Sequence, residues 1–123
     1  MRNEKENLIV DLSFSFALKI ISFSEELEKD KKFVISRQIL KSGTSIGANV
    51  REAQNAESKA DFIHKLKIAA KEADETEYWL LLCKESENYP NTKELRNYLQ
   101  SVIKVLSKII GSSKRNGVNL QIY

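Results

Sequence analysis

Apolar residues recur at helical spacing in four separate stretches of this chain. In the first, Ile9, Leu12, Phe16, Ile20, Phe23 and Leu27 fall three or four residues apart, forming one face of an amphipathic helix. A second apolar set, Val10, Phe14, Ala17, Leu18 and Ile21, lies beside it. The apolar arc is wider than one neighbouring helix needs, so the helix is either nearly central or also faces another subunit. The charged run over residues 28–32 reads as a turn. A second helix is expected over about 34–57, with Ile35, Ile39, Ser42, Ile46, Val50 and Ala53 on one stripe. That stripe is small and polar for a core face. Gly43 and Gly47 sit within the helix, each costing about 1 kcal/mol of helix stability relative to alanine. Close backbone approach by a neighbouring helix is the usual compensation.

Ser58, followed three residues later by Asp61, has the form of a capping box. The helix it opens runs to about residue 87. Phe62, Leu66, Ala69, Ala73, Thr76, Leu80 and Cys83 alternate spacings of four and three, a heptad seam that favours nearly parallel helix packing. Pro90 breaks the chain, and Tyr89 before it is pushed to extended geometry. Asn91 and Glu94 are positioned to cap a fourth helix bearing Leu95, Leu99, Val102, Leu106 and Ile109. Gly111 and the serines after it are expected to end that helix. No stretch alternates at period two, so no sheet is expected. Four helices with short connections and heptad-like seams predict an all-α, antiparallel up-down-up-down four-helix bundle over residues 1–113, followed by a basic C-terminal tail over 114–123.

At 123 residues the chain makes one domain, long enough to bury a core without staples. Its single cysteine has no partner within the chain, which fits a reducing, cytoplasmic setting. The N-terminal stretch is charged and of mixed sign, and the apolar run after it is broken by Asp11, Ser13, Ser15 and Lys19. It reads as neither a signal peptide nor an unbroken membrane span, so no membrane partner is expected. The net charge of +3 is unevenly placed: residues 90–123 carry six Lys/Arg against one Glu. Arg96, Lys104, Lys108, Lys114 and Arg115 are therefore the candidate nucleic-acid contacts, with Lys104 and Lys108 one turn apart on one face.

The residues offer little for catalysis. His64 stands alone beside the third seam, and Asp61 occupies the position where a Glu-x-x-His metal motif needs glutamate. Cys83 falls on an apolar seam, where a thiol is inert. There is no phosphate-cradling glycine loop. Adjacent Tyr78 and Trp79 point about 100° apart on a helix, so both cannot stack bases on one face. No catalytic residue, metal or cofactor is expected. The unusual stretch is 37–53, where Ser42, Ser45 and Asn49 form a polar row that inside a bundle must be hydrogen-bonded. It reads as a close-packed helix contact with a satisfied polar network; a binding groove is the alternative. Arg37, Lys41 and Arg51 are expected at the surface.

This stretch carries a resemblance. Residues 42–53, Ser-Gly-Thr-Ser-Ile-Gly-Ala-Asn-Val-Arg-Glu-Ala, resemble the Ser-x-x-Ser-Ile-x-x-Asn-Ile-x-Glu-Gly/Ala signature of the four-helix-bundle proteins encoded in 23S rRNA intervening sequences, also called ribosomal-protein-like. Residues 62–80 are similar to that family's third-helix pattern, with Phe62, Leu66, Ala69, Glu75 and Leu80 among the matching positions. Ala53 stands where many relatives have Gly. The resemblance implies a homopentamer arranged as a barrel, which would use the surplus apolar arc of the first helix. It implies that Ser45, Asn49 and Glu52 are structural signature residues. It also implies kinship with the accessory variability proteins of diversity-generating retroelements, which engage nucleic acid and a reverse transcriptase. The expected function is a non-catalytic, nucleic-acid-associated oligomeric scaffold, most simply an RNA binder. The alternative is a scaffold or accessory subunit for a partner enzyme such as a reverse transcriptase, without direct nucleic-acid binding.

Overall fold

The four apolar stripes become four helices. In the computed structural model, which describes residues 4–122 and the side chains of residues 4 and 7–114, these are α1 (Glu4–Lys29), α2 (Phe33–Ala53), α3 (Lys59–Glu85) and α4 (Lys93–Ile122). No strand occurs among the described residues. Each helix packs against two others: α1 on α2 and α4, and α3 on α2 and α4; among the described residues the backbones of α1 and α3, and of α2 and α4, stay apart. The helices thus stand at the corners of a square.

Paired side chains give the directions. From α1 to α2 the contacts run Ser13–Gly47, Ile20–Gly43 and Ser24–Ser36, in opposite order along the two helices. From α2 to α3 they run Ser42–Thr76 and Glu52–Lys65. Lys67–Lys114 and Glu77–Gln100 join α3 to α4, and Phe16–Tyr98 and Lys19–Glu94 join α1 to α4. Every neighbouring pair is antiparallel, the up-down-up-down bundle that the short connections require.

The core is the set of stripes read from the sequence. Ile9, Phe16, Ile20 and Leu27 of α1 meet Ile39, Ile46 and Val50 of α2, Leu66 and Leu80 of α3, and Leu99, Val102 and Leu106 of α4. Each such side chain contributes about 1.5–3 kcal/mol through its burial. The ends are capped locally. Ser58 accepts a hydrogen bond from the Asp61 backbone N–H at 3.0 Å, and Asp61 Oδ2 accepts from the Glu57 N–H. Asn91 Oδ1 accepts from the Lys93 N–H at 2.8 Å, while Glu94 reaches away to Lys19. α1 ends without glycine: Lys31 takes φ 62°, and the Lys31 and Lys32 N–H groups return to the carbonyls of Glu28 and Leu27.

One sequence expectation changes. α4 does not stop at Gly111 but continues as helix to Ile122. Gly111 ends a helix only by adopting positive φ, and no described glycine does so. The expected tail therefore begins as helix; most of it, including Arg115, lies outside the residues whose side chains are described. Asn7–Lys29, although interrupted by Asp11 and Lys19, has a mean hydropathy of 1.4 and by length and composition is apolar enough to cross a membrane. A third of that stretch is buried in the bundle. Much of its remaining apolarity is the second stripe, with Phe14, Leu18 and Ile21 exposed.

The glycines of α2 are explained by α1. A Cβ on Gly43 would lie 2.8 Å from both Cγ atoms of buried Ile20, and one on Gly47 would lie 3.2 Å from the Ser13 carbonyl oxygen. Alanine at 43 gains about 1 kcal/mol of helix propensity but incurs an overpacking cost of about 1–3 kcal/mol. Urea unfolding of Gly43→Ala is therefore expected to show a net loss of about 1 kcal/mol. A midpoint at or above that of the parent would mean that α1 does not press on α2 there.

Candidate nucleic-acid interface

The basic residues of α4 do not form a single patch. Lys104 and Lys108 are exposed and one turn apart on the outer face. Lys114 is also exposed but lies about 100° round the helix from the middle of that pair, on the α3 side. Arg96 is half-buried near the opposite end of α4, and its Nε donates to Thr92 Oγ1 at 3.0 Å. It is about 27 Å along the axis from Lys114, which separates it from the others.

Lys114 meets a residue that charge counting along the sequence missed. It lies against Lys67 of α3 and holds the Lys67 amine below its ordinary pKa, by side-chain hydrogen bonding first and like-charge repulsion second. Two exposed amines forced together at the surface make a natural seat for a phosphate oxygen. Lys71 is one turn away on α3 and also exposed. The signal was present in the sequence, but only at finer grain. Within 58–71 there are four Lys against one Asp, and within 72–89 one Lys against six acids. α3 is thus basic in its first half and acidic in its second. The antiparallel register brings its basic half beside the acid-free stretch 101–123 of α4, which carries Lys104, Lys108, Lys114 and Arg115. One end of the bundle is basic as a result.

The polar row of α2 faces its own bundle. Ser42 is fully buried and accepts a hydrogen bond from Thr76 Oγ1 across the helix gap at 2.9 Å. Ser45 donates to the Lys41 carbonyl at 2.6 Å, and Asn49 Nδ2 donates to the Ser45 carbonyl at 2.8 Å. Glu52 pairs with Lys65 of α3 at 3.1 Å. Among the described residues, no buried side-chain nitrogen or oxygen lacks a partner. Arg37, Lys41 and Arg51 are exposed, as the spacing predicts.

The 23S rRNA-intervening sequence protein family matches residues 5–111. The chain belongs to that family. Its matched region takes in all of α2 and α3, and so both quoted motifs. A solved structure of a protein of unknown function from the S23 ribosomal protein family of Bacteroides thetaiotaomicron is 47% identical, with a TM-score of 0.83, over 87% of this chain and 98% of that one. No curated protein matches the chain. In this 23S rRNA-intervening sequence protein the signature residues Ser45, Asn49 and Glu52 all make contacts within the bundle, to the α2 backbone and to α3.

The remaining chemistry-bearing side chains stand apart. His64 is exposed, and no group of three or more His, Cys, Asp or Glu capable of holding a metal ion occurs among the described residues. Cys83 is 3% exposed on the α3 seam, and burial pushes its thiol up to about 11. At pH 8 only about one thiol in 10³ is then ionised. A disulfide reagent such as DTNB is expected to label the folded protein far more slowly than the urea-unfolded chain. Because the folded thiol titrates above the unfolded one, stability should also fall as pH rises from about 9 through about 11. Equal labelling rates in the two states would place Cys83 at the surface.

Proposed function

We propose that this protein is a non-catalytic, nucleic-acid-associated scaffold that binds RNA through the basic end of the bundle and works as a homopentamer. The observation that carries this reading is the charge separation along the bundle axis. Lys67, Lys71, Lys104, Lys108 and Lys114 gather towards the end where α3 begins and α4 ends, while five of the six acids of α3 lie in its second half. Five copies related by rotation about one axis all point the same way. Their basic ends therefore fall on one side of the assembly, and a chain net charge of +3 becomes about +15 for the ring. Membership of the 23S rRNA-intervening sequence protein family supports the nucleic-acid association. Lysines without a rigid base-reading fork favour binding that tolerates sequence and depends on salt.

Fluorescence anisotropy with a mixed-sequence RNA tests the reading. If six or more phosphates are contacted, affinity is expected to fall by about 10³-fold or more between 50 and 200 mM salt. Changing Lys67, Lys104, Lys108 and Lys114 together to Glu should abolish binding and leave helicity intact. Arg96→Ala should change affinity little, because Arg96 stands apart from the cluster. A salt-independent affinity, or full binding by the fourfold variant, would reject the basic end as the binding surface.

A further inference from the structure

Two of the apolar patches left uncovered among the described residues match each other in level and charge; exposed Phe33 and Val34 at the start of α2 form another. The first of the matched two is the outer stripe of α1, with Phe14 61%, Leu18 53% and Ile21 40% exposed. Beside Phe14 it opens into a shallow groove of about 180 Å³, bounded on α2 by Thr44, Gly47, Ala48 and Arg51. The second is a ridge on α3, where Tyr78 is 58% exposed and Leu81 and Leu82 are about 40% exposed. Tyr78 is braced edge-to-face against Trp79, whose indole N–H reaches Glu75 at 3.3 Å.

α1 and α3 occupy opposite corners of the square, so one copy cannot cover its own stripe with its own ridge. Both patches also lie at one level of the bundle. Thr76 meets Ser42, next to Gly43, which faces Ile20. Glu77 meets Gln100, two residues from Tyr98, which stacks on Phe16. Traced through α2 the start of the ridge is level with about residue 21 of α1, and traced through α4 with about residue 14, so it falls within the span of the stripe. Charge completes the match. Over residues 33–51 α2 carries Arg37, Lys41 and Arg51 and no acid, and over 12–24 α1 carries only Lys19. Around the ridge, residues 74–85 carry Asp74, Glu75, Glu77 and Glu85 against Lys84 alone.

We infer that the Tyr78–Leu81–Leu82 ridge of one copy packs on the Phe14–Leu18–Ile21 stripe of the next, with Arg37 and Lys41 of the receiving copy facing the acids that flank the ridge. This rests on the oligomeric reading above and assigns its interface. The contact is heterologous: each copy gives a ridge and receives one. Repeated with a closing rotation it makes a ring, whereas a patch that met its own like would stop at a dimer. Because rotation keeps every copy pointing the same way, α3 of one copy lies parallel to α1 of the next, and the matched levels allow contact without a slide along the axis.

Cysteine cross-linking tests this arrangement. Both chosen positions are exposed and the native Cys83 is buried, so background labelling is low. In the full chain, Leu18→Cys and Tyr78→Cys are made singly and together, each checked for parent-like helicity. They are then treated with a short bismaleimide, with mass followed by sedimentation. The double variant is expected to give a ladder of covalent multimers, and neither single variant a dimer. Tyr78→Arg, which places a cation against Arg37 and Lys41, is expected to lower the assembly's mass to that of one chain without loss of helicity. Dimers from a single variant would overturn the inference, because patch would be meeting like patch. An assembly of parent mass that yields no ladder would overturn it while leaving the oligomer standing. A parent protein that sediments as one chain would overturn the oligomer as well, and would leave the apolar stripe to another occupant such as a membrane surface.

Discussion

The close approach of α2 to α1 sets the terms for the rest of the molecule. Gly47 abuts the backbone at Ser13, Gly43 abuts Ile20, and Ser36 and Ser24 exchange hydrogen bonds, with their hydroxyl oxygens 2.6 Å apart. These small residues let the two helices sit closer than Leu-sized side chains allow. The same choice limits how much of α1 a slender α2 can cover. The inner stripe of α1 is buried, and the outer stripe of Phe14, Leu18 and Ile21 stays in water. A monomer that carries such a stripe is incomplete as a soluble surface. The hydrogen bonds of the α2 row lie on its other sides: Ser42 accepts from Thr76 of α3, and Ser45 and Asn49 donate to carbonyls of α2 itself.

The second organising feature is charge along the axis. α3 changes from basic to acidic near its middle, and α4 becomes free of acid over its second half. In an extended chain these are separate facts. Folded antiparallel, they superpose at one end, where Lys114 comes close enough to Lys67 to disfavour the charge on Lys67. A phosphate relieves that repulsion. In the proposed ring, rotational assembly would gather these ends on one side, apart from the faces proposed to meet other copies, and would leave the acidic half of α3 to the neighbouring subunit.

Much of the fold was legible because periodicity reports burial directly. The stripe residues Phe16, Ile39, Leu66, Leu80, Leu99 and Leu106 are all buried, and Ser58 caps the helix it precedes. The end of α4 was not legible, because Gly111 is compatible with helix at a cost of about 1 kcal/mol and only its backbone angle decides. The site was only partly legible. Lys104, Lys108 and Lys114 are exposed as expected, but Arg96 stands apart and engages Thr92. Lys67 escaped notice because its approach to Lys114 depends on the α3–α4 register, which no local pattern encodes. Averaging charge over the whole of α3 hid the basic half behind the acidic one.

The central claim is that this bundle is a subunit built to be completed by its own copies. Sedimentation equilibrium of the unmodified protein, freed of nucleic acid and held at high salt, tests it most directly. High salt removes electrostatic bridging by RNA and leaves apolar burial to hold the copies together. A mass close to five times the 14.1 kDa chain, about 70 kDa, retained on dilution to micromolar concentration, is expected. A single species of 14.1 kDa under those conditions would contradict it.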